Sequence, residues 1–215
     1  MRPQVKSMVD VDIYNMGGTM YPTRDEAEQL LKEAEKLNPG PWGDHSRTVA
    51  HCAKCIAEKS GLNSDKAYVV GLLHDIGRRF GKRHLGHVSD GYSYMMSLGY
   101  DEVARVCLTH SFNRKTIDAY VGNFDTNEEE TELIKTELAK TDFDEYDKLI
   151  QLCDSIGGAE GVMDIIDRMN DVKSRYGYYD QEKWDTNLEL KNYFEQLMGQ
   201  DVYSAVGKDN YKPKV

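Results

Sequence analysis

Apolar residues recur at helical spacing along almost the whole chain, and this pattern most limits the fold that the sequence can adopt. Such residues lie three or four positions apart, which places them on one face of a helix with 3.6 residues per turn. A clear example is the stripe Val162, Ile165, Ile166, Met169 and Val172. Strand-like alternation is confined to residues 8–14. The sequence therefore predicts an all-α fold.

Helix boundaries follow from capping patterns and from glycine and proline. Thr23 and Glu26 form a capping-box pattern before the first apolar stripe. The following Pro39-Gly40-Pro41 segment ends that helix. The predicted helices cover about 23–37, 45–59, 64–74, 87–98, 101–110, 128–140 and 143–156, then two segments that include 162–172 and 184–197. Residues 77–86 are predicted to form a basic, glycine-rich loop, and residues 112–127 a loop with room for one short helix.

The chain has 215 residues and no internal repeat. A chain of this length can bury enough surface to fold as one compact domain. We predict an irregular N-terminal segment over 1–22, one helical domain over 23–200 and a polar, frayed tail over 201–215.

The charge balance excludes several classes of protein. With 27 basic and 37 acidic residues, the formal net charge is −10. An acidic chain of this kind is not expected to bind nucleic-acid polymers or anionic membranes. The N-terminus has no continuous apolar run, and no apolar segment is long enough to span a membrane. We therefore expect a cytoplasmic protein.

A small set of histidines and acids is the main candidate for chemistry. His74 and Asp75 are adjacent at the end of an apolar helix, so both side chains can reach one ion at its edge. His45 is predicted to open the preceding helix. Asp154 lies beside a core-facing stripe, where a buried carboxylate needs a partner such as a cation.

These residues resemble the HD superfamily of metal-dependent phosphohydrolases, whose helices carry one His, then a His-Asp doublet, then a distant Asp. The matching segments are His45-Ser46-Arg47-Thr48-Val49, Gly71-Leu72-Leu73-His74-Asp75-Ile76-Gly77 and Leu152-Cys153-Asp154. The resemblance covers residues 41–157 and implies a compact helical bundle of the HD-domain type.

The resemblance also implies a metal centre. His45, His74, Asp75 and Asp154 would hold a first ion, and Asp75 would bridge to a second ion held by His87 and His110. His84 is the alternative to His87, which we prefer because it is predicted to open a helix. Imidazole and carboxylate ligands suit one or two divalent ions of Fe, Mn, Co, Ni or Zn.

One position departs from the pattern. Many family members have lysine after the His-Asp-Ile-Gly string, whereas this chain has Arg78. Arginine keeps the charge and binds phosphate oxygens in a bidentate manner, but it cannot exchange a proton near neutral pH. Asp75 and Arg78 are therefore the candidate catalytic residues. The candidate substrate-binding residues are Arg78, Arg79, Lys82, Arg47 and Arg114.

The resemblance favours hydrolysis of a small phosphate ester or anhydride, with a nucleotide as the expected substrate. Some HD-type proteins have a ligand set that resembles this one, but they hold two irons and use O₂ to cleave polyols or hydroxyphosphonates. A non-catalytic binding module is a third alternative. A homodimer is compatible with an aromatic cluster that marks either an interface or a core corner, formed by Tyr176, Tyr178, Tyr179 and Trp184.

Overall fold

A computed structural model describes residues 20–213, and these residues are mostly helical. The helices are α1 (Arg24–Leu37), α2 (Trp42–Ser60), α3 (Ser64–Leu73), α4 (Gly86–Ser97), α5 (Asp101–Thr109), α6 (Glu128–Lys140), α7 (Glu145–Ile156), α8 (Ile165–Tyr176), α9 (Gln181–Met198) and α10 (Val202–Val206). Short 3-10 helices cover Ile76–Phe80 and Ile117–Ala119. The predicted all-α fold is confirmed. The alternating segment 8–14 lies outside the described residues.

Local sequence signals fix several helix ends. Thr23 and Glu26 form the expected capping box at the start of α1. Other boundaries differ from the predictions because tertiary packing decides them. Helix α2 begins at Trp42, so His45 lies one turn inside the helix and does not open it. Asn63 caps α3, and Ile76–Phe80 forms a 3-10 turn that extends into the predicted loop over 77–86.

The centre of the bundle depends on the close approach of α2 and α3. A Cβ added at Gly71 would lie 3.1 Å from the Cα of Ala50, so the backbones touch at this point. Helices α5 and α7 pack against α3, and a continuous apolar core joins them. A smaller apolar cluster, including Phe112 and Ile134, connects α4, α5 and α6. This packing aims the inward ends of α2, α3, α5 and α7 at one region.

A short hairpin connects α7 to the C-terminal helices. Its antiparallel strands are β1 (Gly157–Gly158) and β2 (Gly161–Val162). The sequence predicted no strand here, because two residues are too few to show alternation. Val162 therefore belongs to β2, and α8 begins only after the Asp164 cap. Helices α8 and α9 then pack against α7.

The last described residues are more ordered than the predicted frayed tail. Val202 and Val206 of α10 are buried against α2. The Tyr211 ring stacks on His51 at 3.7 Å, and its hydroxyl donates to the Arg47 carbonyl at 3.1 Å. Within residues 20–213, no helix has the length and apolar character needed to cross a membrane.

Candidate metal centre

His45 and Asp154 meet although 109 positions separate them in the sequence. His45 Nε2 lies 3.1 Å from Asp154 Oδ1, and its Nδ1 donates to the Gly157 carbonyl at 3.2 Å. The hairpin that follows α7 thus orients the imidazole on α2. Burial opposes ionisation of Asp154, but the hydrogen bond and the charge of His45 outweigh it, so the pKa of this carboxyl lies below its usual range.

His74 and Asp75 stand where α3 turns into the 3-10 helix. His74 Nδ1 donates to the Gly71 carbonyl at 2.7 Å, which leaves Nε2 directed away from its own helix. Asp75 Oδ2 accepts from Arg78 Nε at 2.5 Å. Both side chains are almost completely buried.

His87 on α4 and His110 at the end of α5 complete the group. His87 Nε2 lies 3.1 Å from Asp75 Oδ1 and 3.2 Å from His110 Nε2. The Nδ1 atom of His87 donates to the His84 carbonyl, and that of His110 to the Cys107 carbonyl at 2.9 Å. The structure therefore brings His87, and not His84, to Asp75. The His84 ring instead faces the Tyr176 hydroxyl.

All four imidazoles share one hydrogen-bonding pattern. Each Nδ1 faces a backbone carbonyl, which accepts but cannot donate, so Nδ1 must carry the proton. In the neutral rings Nε2 then presents a lone pair, and this is the arrangement in which protein histidines bind metals. His87 Nε2 and His110 Nε2 face each other at 3.2 Å, a separation at which the two nitrogens could share one positive ion.

Unpaired buried atoms distinguish a metal ion from a proton at this position. His74 Nε2 and Asp75 Oδ1 are fully buried and have no aligned hydrogen-bond partner. A single proton on His87 Nε2 can be directed to Asp75 Oδ1 or to His110 Nε2 but not to both, and it leaves His74 Nε2 unpaired. Two groups of residues each bring their ligand atoms within 4.8 Å of one another, and His74 belongs to both: His45, His74 and Asp154, then His74, Asp75 and His110. The donor set fits divalent transition-metal ions.

Electrostatics favour the metal-binding protonation states of four candidate ligands, namely His74, His110, Asp75 and Asp154. Burial lowers the pKa of His74, and it lowers the pKa of His110 to about 3. Burial would raise the pKa of Asp75, but other effects, of which the charge of Arg78 is the largest, outweigh it and hold the pKa well below its usual range. Both carboxyls are thus held ionised, and burial favours the neutral form of His74 and His110.

A buried polar network supports the turn that carries His110. The Thr109 hydroxyl donates to Asp147 Oδ1 at 2.6 Å, and Gln151 Nε2 donates to the carbonyls of Thr109 and Phe112. Arg105 lies 3.5 Å from Asp147 and compensates its charge. These contacts fix the α5 end against α7, which in turn carries Asp154.

Five of the six candidate ligands, all except His74, line a cavity of about 780 Å³. Two predicted substrate contacts, Arg78 and Lys82, also line it, together with Arg83 and His84. Arg83 is ion-paired with Asp90 and Glu130, which anchors the loop before α4.

Three other predicted substrate contacts lie outside the cavity lining, and each contacts another side chain. Arg47 is paired with Glu35 at 2.6 Å. Arg114 is paired with Asp180 at 3.0 Å. The Arg79 guanidinium lies 4.0 Å from the centre of the Tyr94 ring. Each of these arginines has a structural partner that its sequence neighbours do not reveal.

The C-terminal helices contribute a wall that the sequence did not predict. Its polar and charged members are Arg168, Asp171, Arg175, Tyr176, Tyr179, Lys183 and Asn187. Asn187 is 3% exposed and lies one turn after Lys183, so both face inward from α9. The sequence did contain one signal for this wall. Lys183 and Asn187 lie at helical spacing on the same face of α9 as the buried Phe194.

Comparisons with known proteins gave a structural match and a family match. The HD domain of the phosphodiesterase PgpH from L. monocytogenes aligns with a TM-score of 0.47 and 19% sequence identity, covering 79% of this chain and 97% of that one. No curated protein matches the chain significantly. The family model described as HD domain matches residues 42–158, just over half of the 215 residues, and this span includes all six candidate ligands. The chain therefore belongs to the HD domain family.

Proposed function

We propose that the chain is a metal-dependent phosphohydrolase that acts on a small phosphate ester or anhydride. The observation that carries this proposal is the convergence of four imidazoles, each anchored through Nδ1, on two ionised carboxylates at a cavity that also contains Arg78 and Lys82. Metal ligands and cationic side chains on one cavity suit a phosphoryl group, because bound metal ions and cations both stabilise negative charge.

The chain's own residues have distinct roles in this proposal. Divalent ions bound here would supply Lewis-acid stabilisation and a water of lowered pKa. Asp75 stays ionised and holds its two oxygens towards different partners, Oδ1 towards His87 and Oδ2 towards Arg78. The bond to Asp75 and a second one to the Arg83 carbonyl fix the Arg78 guanidinium at the cavity. Its remaining N–H groups are placed to bind phosphoryl oxygens.

We further propose a nucleotide as the substrate. The cavity has the size of an ordinary small-molecule site. Aromatic side chains line it beside the cations, and they offer faces on which a base can stack: Trp42, Tyr120, Tyr176 and Tyr179. A cationic end and an aromatic wall match the two ends of a nucleotide.

The test combines metal content with phosphate release. The purified chain is analysed for each transition metal and its stoichiometry, then assayed with nucleoside mono- and triphosphates and with sugar phosphates. We expect metal-dependent release of inorganic phosphate or pyrophosphate, fastest with nucleotides. The matched variants are Asp75→Asn, which should lose metal and activity, and Asp142→Asn at an exposed ion pair, which should lose neither.

The same measurements separate the oxygenase alternative. Two irons per chain, a mixed-valent iron signal and substrate-dependent O₂ uptake would replace the hydrolase proposal. Phosphate release that continues under strict anaerobiosis would support the hydrolase proposal. Equal turnover of all phosphate esters would leave the hydrolase in place and reject the nucleotide assignment.

A further inference from the structure

Lys183 is a cation of the metal cavity that lies outside the residues matched by the HD family model. It stands on α9, and its inward direction follows from its position one turn before the buried Asn187. The motif residues therefore do not account for every charge that faces this site.

Two reciprocal hydrogen bonds hold Lys183 beside the His110 turn. Its Nζ donates to the Ser111 carbonyl at 2.6 Å, and Ser111 directly follows His110. In the other direction, Asn113 Nδ2 donates to the Lys183 carbonyl at 3.3 Å and to Asn187 Oδ1 at 3.0 Å. The ammonium group is thus positioned by both its side chain and its backbone.

The Lys183 ammonium differs from the neighbouring cations in its partners. Arg78, Arg83 and Arg114 each have a carboxylate within ion-pair distance. No carboxylate in residues 20–213 lies within 4.0 Å of Lys183 Nζ, and the Ser111 carbonyl is the one acceptor found for it there. Burial lowers the pKa of Lys183 to about 8, against the opposing charges of Asp154 and Asp180. Lys183 is partly buried at the cavity, and its ammonium group has donors left over for the acceptor oxygens of a ligand.

We propose that Lys183 is a substrate-binding residue that donates to an anionic oxygen of the phosphoryl group, from a different wall of the cavity than Arg78. This inference rests on the proposed phosphohydrolase function and deepens it. The Arg78 guanidinium is held by its hydrogen bond to Asp75. The Lys183 ammonium is held by the Ser111 carbonyl, next to His110. A phosphate bound at the metal centre would then have protein cations from two separate elements, the 3-10 turn and α9.

The experiment measures binding of inorganic phosphate to the full metal-loaded chain by calorimetry, and product inhibition by phosphate where turnover is found. The variants are Lys183→Met and Lys183→Arg. Lys191→Met is the matched control, because Lys191 lies on the same helix and pairs with Glu195 outside the cavity. Metal content and circular dichroism are recorded for each variant.

We expect Lys183→Met to weaken phosphate binding by about tenfold to a hundredfold, which is the usual contribution of a hydrogen bond to a charged group. Metal content should stay unchanged. Lys183→Arg should recover most of the binding, and Lys191→Met should match the wild type.

Three outcomes would overturn the inference. If the dissociation constants of Lys183→Met and Lys191→Met for phosphate agree within about twofold, the proposed contact is rejected. If Lys183→Met loses both its metal and its phosphate binding, Lys183 is a structural support of the His110 turn. An arginine variant as weak as the methionine variant rejects the role of charge. Lys183-dependent phosphate binding without hydrolysis of any phosphate ester would instead retain the contact and reject the phosphohydrolase.

Discussion

His87 Nε2 and His110 Nε2 lie 3.2 Å apart, with both Nδ1 atoms committed to backbone carbonyls. Two nitrogen lone pairs at this separation repel each other unless a cation lies between them. The same pair lies beside Asp75, whose Oδ1 is 3.1 Å from His87 Nε2 and 3.6 Å from His110 Nε2. The geometry therefore favours a second ion beyond the one suited to His45, His74 and Asp154.

We predict that the wild-type chain holds close to two divalent ions and that His110→Ala retains about one. The His87→Ala variant should behave in the same way, because each change removes one of the two facing nitrogens. Elemental analysis after extensive dialysis measures the stoichiometry.

His84→Ala is the matched control for this prediction. His84 lines the same cavity and was the alternative ligand, but its ring faces Tyr176. It should keep the wild-type metal content. Equal loss of metal from His84→Ala and His87→Ala would reject the assignment of His87.

Gly77 is expected to tolerate no side chain. A Cβ at this position would lie 2.0 Å from the His87 carbonyl oxygen and 2.5 Å from the Gly91 nitrogen, both backbone atoms of α4. Overpacking of this kind costs about 1–3 kcal/mol, and relief requires α4 to move. We predict that Gly77→Ala lowers the melting temperature by several degrees and reduces metal content, because His87 moves with the helix.

Gly199→Ala separates the two effects of that prediction. Gly199 caps α9 with φ of 66° and has open space around it, so alanine there should cost about 1 kcal/mol through backbone strain alone. Its metal content should remain that of the wild type. Full metal content in Gly77→Ala would show that the close contact does not position His87.

Arg78 and Arg79 are adjacent, but we expect their substitution by lysine to change kcat to very different extents. Arg78→Lys removes the guanidinium that bonds Asp75 Oδ2 and the Arg83 carbonyl, so we predict a decrease of kcat by about tenfold to a hundredfold. Arg79→Lys changes a side chain that stacks on Tyr94, and kcat should stay within about twofold of the wild type. Steady-state kinetics with the best phosphate ester measure both variants. A similar loss in the two variants would reject the specific role of Arg78.

Local sequence signals determined some elements well. Helix α6 spans Glu128–Lys140, as its acidic start and apolar spacing predicted, because the Asn127 capping box acts within a few residues. The His-Asp doublet likewise identified the end of α3, where both side chains turn into the site. In each case the interactions that decide the structure are close in the sequence.

Long-range contacts decided what the sequence could not predict. Arg47 looked available for substrate until the fold placed Glu35 beside it. The sequence did not single out Lys183, because only the packing of α9 on α7 shows which face of α9 is buried. The wall formed by α8 and α9 depends on the hairpin at Gly157, which is too short to leave a pattern. The family motif could not supply this wall, since it ends before α8.

His51 lies outside the candidate metal centre and provides a test of how pH acts on the fold. Burial lowers its pKa, and the hydrogen bond from Nε2 to the Val206 carbonyl only partly opposes this. Lys54 and Glu58 are the charged groups that act on it, and Tyr211 stacks on its ring. The histidine therefore joins α2 to the C-terminal segment mainly in its neutral form.

The sign of the pH effect follows from that lowered pKa. Below a pH of about 6.5 the unfolded chain binds a proton at His51 more readily than the folded chain does. The stability linked to neutral His51 is thus present above this pH and is lost as the pH falls through it. We predict that the free energy of unfolding in urea decreases from pH 7.5 to pH 5.5, and that His51→Gln shows a smaller decrease. Glutamine keeps a donor for the Val206 carbonyl but does not gain a proton in this pH range. The candidate metal-ligand histidines are present in both proteins, so their contribution cancels when the two pH dependences are subtracted. Parallel pH dependence in the two proteins would mean that His51 contributes nothing to the linkage.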